Sequence, residues 1–159
     1  MNHAFFHHGT DGRGRRMYMG PDKQLGFPAL ATILEMRPDF FIGTGDNVYY
    51  DHPMATRART QAELRRKWHE QFVQSRYVEL FRDVPTYWEK DDHDHRYNDC
   101  DCTGVREPLS ELGIATFREQ VPVVDPADPK ATTSGRRSFR IPCRHRDGLG
   151  PAPPLARVW

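Results

Sequence analysis

The chain has few cysteines, no long apolar run and no surplus of either charge. Cys100, Cys102 and Cys143 are too few to form a disulfide framework, and their number is odd. Cys100-Asp101-Cys102 could serve a soft metal, but C-x-C without a second pair is a weak signature, so a structural or incidental role is expected. No apolar run approaches the roughly 20 residues that cross a bilayer, so no membrane span is expected. Residues 1–8 have no basic stretch leading into a long apolar one. No signal peptide is therefore visible, and the chain reads as soluble with its compartment left open. Basic and acidic residues number 23 and 22, a formal net charge of +1. That balance leaves no electrostatic footprint for nucleic acid or anionic lipid, and no nucleic-acid partner is expected. The local clusters at 13–16 and at Arg136-Arg137 read as solvated surface. There is no internal repeat.

What is present is a 159-residue chain, long enough for one domain with a real core. It is rich in turns, with 13 Pro and 12 Gly. Residues 1–22 have no periodicity and read as loop. Pro28 suits a first helical turn, and Leu30, Ile33 and Leu34 recur at helical spacing before Pro38 stops the run. Phe40-Phe41-Ile42-Gly43 then reads as a strand buried on both faces, as in a parallel sheet. Thr60-Gln61-Ala62-Glu63 is a capping box, and Leu64, Trp68 and Phe72 form one apolar stripe behind it. A short helix over 77–82, a strand at Thr86-Tyr87-Trp88 and a helix within 108–120 follow. Beyond it come an extended stretch over 122–129 and a possible third strand at 138–141. The tail from 142 on is Pro- and Arg-rich.

Two acidic clusters carry the chemistry. Gly45-Asp46-Asn47-Val48-Tyr49-Tyr50-Asp51 and Asp91-Asp92-His93-Asp94-His95 each follow a short apolar, aromatic run. Ligands gather outside the carboxyl ends of strands in α/β sheets, so Asp46 and Asp92 would sit where ligands bind. The Asp46 carboxylate can bridge two cations, and Tyr49 can supply a phenolate oxygen to a hard trivalent metal. Asn47 offers a neutral carbonyl, and Asn98 is a further oxygen ligand. Three carboxylates within four residues repel one another unless a cation lies among them. Asp92 is the expected ligand, His93 the general acid, and Asp94 the carboxylate that holds the His93 tautomer. The plainer alternative is a solvated acidic turn.

Gly45-Asp46-Asn47-Val48-Tyr49 together with Trp88-Glu89-Lys90-Asp91-Asp92-His93-Asp94 resembles the alkaline phosphatase D (PhoD-like) branch of the metallophosphoesterases. That family carries GD-x-x-Y and, later, W-D-D-H-[DE]. Here Glu89-Lys90 stands between the tryptophan and the acidic pair. The similarity spans about residues 25–141. It implies an α/β, metallophosphoesterase-like two-layer fold, a β-sandwich flanked by helices, incomplete at both ends. It implies a phosphomonoesterase or phosphodiesterase, with a phosphate ester small molecule as substrate. Fe3+ and Ca2+, or another divalent metal, would form a binuclear or larger cluster. Asp46 would bridge the metals, Tyr49 would bind the ferric ion and Asp92 the second metal. A metal-bound hydroxide would attack phosphorus while His93 protonates the leaving group. Members of the family are often exported.

Three segments are expected: an irregular 1–22, a partial PhoD-like domain over 23–141, and a disordered or out-of-frame tail over 142–159. His3, His7, His8 and Asp11 have no apolar strand to carry them, and no G-D-x-H segment follows the second cluster. The alternative expectation is a truncated, catalytically inactive fragment with at most weak metal binding.

Overall fold

The computed structural model describes residues 3–8 and 17–122. The stretch expected to be extended beyond Pro122, the strand at 138–141 and the tail lie outside the described residues. Those residues form a mixed helix and strand structure of five helices and one two-stranded parallel sheet. In chain order they are α1 (His3–His8), α2 (Pro28–Glu35), β1 (Phe41–Thr44), α3 (Gln61–Phe72), α4 (Ser75–Asp83), β2 (Thr86–Glu89) and α5 (Ser110–Gln120).

Local sequence sets most of these boundaries. Pro28 opens α2 at a position whose missing N–H costs nothing. The α3 capping box forms in both directions: the Thr60 side chain accepts from the Glu63 amide, and the Glu63 carboxylate accepts from the Thr60 amide at 2.9 Å. Parallel strands need a crossover, and α3 with α4 supplies it between β1 and β2. The register pairs Phe41 with Thr86 and Thr44 with Glu89, so both strands end side by side. The loops that follow them therefore emerge at the same edge.

Two expectations are corrected. Residues 3–8 are not loop but a short helix, α1. Its Phe6 stacks on Tyr18 with ring centroids 4.9 Å apart and lies 4.4 Å from Phe27. Tertiary ring contacts hold a six-residue helix that is too short to show a period of its own. β1 is also not buried on both faces, since Ile42 keeps 47% of its exposure and Phe40 keeps 55%. Only one face of this small sheet is covered by helices among the described residues.

The core has two parts. Leu30, Tyr77, Leu80 and Val84 close α2 onto α4. Val48, Tyr50, Leu64, Trp68, Phe117 and Val121 join α3, α5 and the loop after β1. Phe72 packs against both parts. Trp68 donates its indole N–H to the Tyr50 hydroxyl at 2.7 Å, so the loop after β1 is anchored by a buried polar contact as well as by packing. Among the described residues no helix is long and apolar enough to cross a membrane.

α5 lies directly on the segment after β2. A methyl group placed on Gly113 would sit 1.9 Å from the His95 carbonyl oxygen. Gly113→Ala should therefore force α5 outward and lower stability by about 2 kcal/mol, as overpacking does. A urea-unfolding midpoint equal to wild type would show that this contact is not tight.

Candidate metal centre

β1 ends at Thr44, and the chain then turns through two left-handed residues, Gly45 (φ 101°) and Asp46 (φ 51°). Glycine takes such a conformation without steric cost, and aspartate is among the side chains that tolerate it. A Cβ on Gly45 would lie 2.6 Å from the Asp91 Cβ, so the turn can come this close to the second acidic cluster only as glycine. The turn presents Asp46. Its Oδ2 accepts from the Tyr49 hydroxyl at 2.7 Å, while its Oδ1 is buried and has no hydrogen-bond partner. Burial, and then the hydrogen bond to Asp46, hold the Tyr49 phenol well above its ordinary pKa.

The second cluster starts where β2 ends. Its turn is solvated only at its start, where Asp91 is exposed and Asp92 half-buried, because His93, Asp94, His95 and Arg96 are all buried. Asp94 is fully enclosed. It accepts the Asp91 amide at 2.6 Å, the Asn47 amide at 3.1 Å and the Asn47 side-chain amide at 2.5 Å. Burial pushes its carboxyl up to about 7 against the pull of those donors and of Lys90. Burial likewise brings His95 down to about 4, so it packs as a neutral ring, with Nε2 3.0 Å from the Ser110 hydroxyl. Arg96 has no exposed surface. Its guanidinium donates to the carbonyls of Asp101, Thr103, Gly104, Arg106 and Pro108, and so gathers the whole loop that leads to α5.

The carboxylate that orients His93 is Asp51, not Asp94. His93 Nδ1 lies 2.8 Å from Asp51 Oδ1. Asp94 is committed instead to Asn47 and Asp91, which removes it from the tautomer-holding role expected of it. The backbone explains this. Neighbouring residues in a tight turn point apart, so the partner of His93 comes from the other loop. Asp51 Oδ2 is fixed in turn by the Asn98 amide at 3.1 Å. The Tyr49 ring lies over the His93 ring, with centroids 4.2 Å apart. Burial alone would lower the His93 pKa; the Asp51 contact and the charges of Asp46 and Asp92 outweigh it, and the net shift is upward.

Donor atoms of Asp46, Asp92 and His93 all lie within 4.8 Å of one another, as do those of Asp51, His52 and His93. In the second group the Asp51–His93 hydrogen bond already occupies the facing atoms. The first group is the better metal site, since it contains the buried, unpartnered Asp46 Oδ1. A cation is the natural partner for such an oxygen. Asp92 receives the His93 amide on Oδ1 at 2.7 Å and the Asp99 amide on Oδ2, contacts that aim the carboxylate and leave lone pairs to spare.

The structure thus brings together Asp46, Tyr49, Asp92 and His93. It does not bring in the Asn98 side chain, which is exposed and donates to Asp99. The Asn47 side-chain amide is spent on the Glu89 carbonyl at 2.7 Å and on Asp94. Cys102 is disulfide-bonded and Cys100 is a free thiol, so the C-x-C pair does not present two thiolates. Asp51 and Arg96 are the residues that shape the site and that sequence reasoning did not single out. Asp51 lay in plain view within the first cluster, and Arg96 directly beside the second. No protein-family model matches the chain, and neither a curated protein nor a solved structure is significantly similar to it.

Asp51→Asn removes the charge that holds a proton on His93 but leaves the ring buried. The His93 pKa should fall, as followed by NMR in the presence of a chelator. The sign for stability follows. The raised His93 value contributes stability that is complete below the unfolded pKa and fades as pH rises through the folded one. That portion of the pH dependence should shrink in Asp51→Asn. An unchanged His93 titration would remove Asp51 from this role.

Proposed function

We propose that the chain carries the site of a metal-dependent phosphoric ester hydrolase of the PhoD-like kind, acting on phosphate mono- or diesters. The single observation that supports it most is the convergence of donor atoms of Asp46, Asp92 and His93, in a group whose Asp46 also keeps one buried, unpartnered oxygen. Asp46 and Asp92 are the residues that would hold metal, with Tyr49 as the ferric ligand beside them. Iron and calcium, or another divalent ion, would supply Lewis acidity toward a phosphoryl oxygen and an activated water. The PhoD-like two-layer fold belongs to the same proposal.

The chain's own residues divide the remaining work. With Nδ1 turned to Asp51, His93 has Nε2 left to deliver a proton to the departing alkoxide. Asp51 keeps that ring charged and oriented, the part that second-row carboxylates play for catalytic histidines. Tyr49 closes one face of the His93 ring and limits its rotation. Asp94 shapes the turn from inside and, being fully buried, touches no substrate.

A second reading, metal binding without turnover, is favoured by the small number of donors in the group, three rather than two full ligand sets. An assay decides between the two. With iron and calcium added, the chain should hydrolyse a chromogenic aryl phosphodiester. Asp46→Asn and His93→Ala should each lower kcat/KM by roughly a hundredfold or more, the usual weight of one acid–base group. Turnover that survives both substitutions would sink the hydrolase assignment, while metal uptake with no turnover would leave the second reading. Ferric iron should also produce a visible tyrosinate absorption band that is absent from Tyr49→Phe. Persistence of the band would remove Tyr49 from the ligand set.

A further inference from the structure

Next to the metal centre, between α3 and the loop after β1, lies a cavity of about 220 Å³. At roughly 30 Å³ per water it has room for about seven waters, or for one small charged group and its linker. Its walls include Tyr49 and His52 on the side of the centre and Arg66, Lys67, Glu70 and Gln71 from α3. Tyr49 borders both the centre and this cavity, through its hydrogen bond to Asp46 on one side and the cavity wall on the other.

The α3 face is fastened to the site at two points. Lys67 donates to the His52 carbonyl at 2.6 Å, and Gln71, one turn on, donates to the Asn47 carbonyl. Lys67 is only partly exposed, and among the described residues no carboxylate lies within ion-pair distance of its ammonium. An ammonium has three N–H donors, and the His52 carbonyl takes one of them. Arg66 contacts Glu70 at 3.5 Å in an exposed pair, a weak tie that leaves most of its guanidinium donors at the cavity mouth. Lys67 is therefore a positioned cation with donors to spare, set in a concave space that opens beside a metal centre.

We propose that this cavity is an anion subsite, which takes a second anionic group, phosphate or carboxylate, carried by the ester bound at the adjacent centre. Lys67 supplies the charge-assisted contact inside, and Arg66 steers from the rim. Glu70 at the rim limits the net charge, which suits a single small anion better than a polyanion. The place of the subsite in a reaction rests on the hydrolase reading, whereas its capacity to bind an anion does not.

Two measurements test it separately. The first compares three aryl phosphodiesters whose leaving arm carries a carboxylate, a phosphate or a neutral carboxamide. Wild type should favour one or both charged arms over the carboxamide by about tenfold in kcat/KM, the size of one charge-assisted hydrogen bond. Lys67→Gln, which can still donate to the His52 carbonyl, should lose that preference, and Lys67→Arg should keep it. A uniform loss on all three substrates would make Lys67 merely structural and overturn the proposal. The second measurement titrates inorganic phosphate into the chain with chelator present, by calorimetry. The dissociation constant should rise about tenfold in Lys67→Gln and stay put in Asp46→Asn. Equal affinity in wild type and Lys67→Gln would overturn the subsite even if the chain hydrolyses esters. If no substrate turns over, the hydrolase reading fails and the calorimetric comparison alone decides the subsite.

Discussion

The structure depends on one buried carboxylate. Asp94 lies at the ends of two adjacent parallel strands and gathers three N–H groups, two of them from Asn47 on the opposite loop. Asn47 then reaches the last residue of β2 through the Glu89 carbonyl. Removing an ionisable group from water is costly, and only a set of matched donors makes it tolerable. Once those donors come from both loops, the loops cannot move apart. The spacing of Asp46 from Asp92 and His93 is a by-product of satisfying Asp94.

Around that point the charges sort by environment. Asp94 and His95 are drawn toward neutrality by burial, whereas His93 is held toward its charged form by Asp51. Three successive titratable residues thus fall into two settings, and Asp51, with the charges of Asp46 and Asp92, separates His93 from its neighbours. Strand ends supply position, the buried turn supplies rigidity, and the facing loop supplies the charge that makes the imidazole useful.

Much of this was legible in the amino-acid order. Pro28 and the Thr60–Glu63 box mark two helices, and the apolar stripe on α3 predicts its buried face. The two acidic clusters at strand ends follow from composition and from the rule that sites gather there. What could not be read were contacts between residues distant in sequence. Nothing local distinguishes Asp51 from Asp94 as the partner of His93, because the choice depends on which loop faces which ring. α1 was invisible for a similar reason: six residues show no period, and Phe6 acquires its purpose only from Tyr18 and Phe27. The exposure of Ile42 also depends on what covers the sheet, which no four-residue run records.

Arg96 leaves one further consequence. Beyond its contact with the Tyr97 ring it holds its loop through main-chain carbonyls, so its hydrogen bonds do not depend on which side chains the loop carries. Thr103, Gly104, Val105, Arg106 and Glu107 all face outward. Gly104 is tied to its left-handed turn (φ 84°), but exposed Val105 and Glu107 can be rewritten without loosening the clamp. A grip on the main chain beneath exposed side chains lets part of this loop change its surface chemistry a short distance from the centre, while the turn that builds the centre stays as it is.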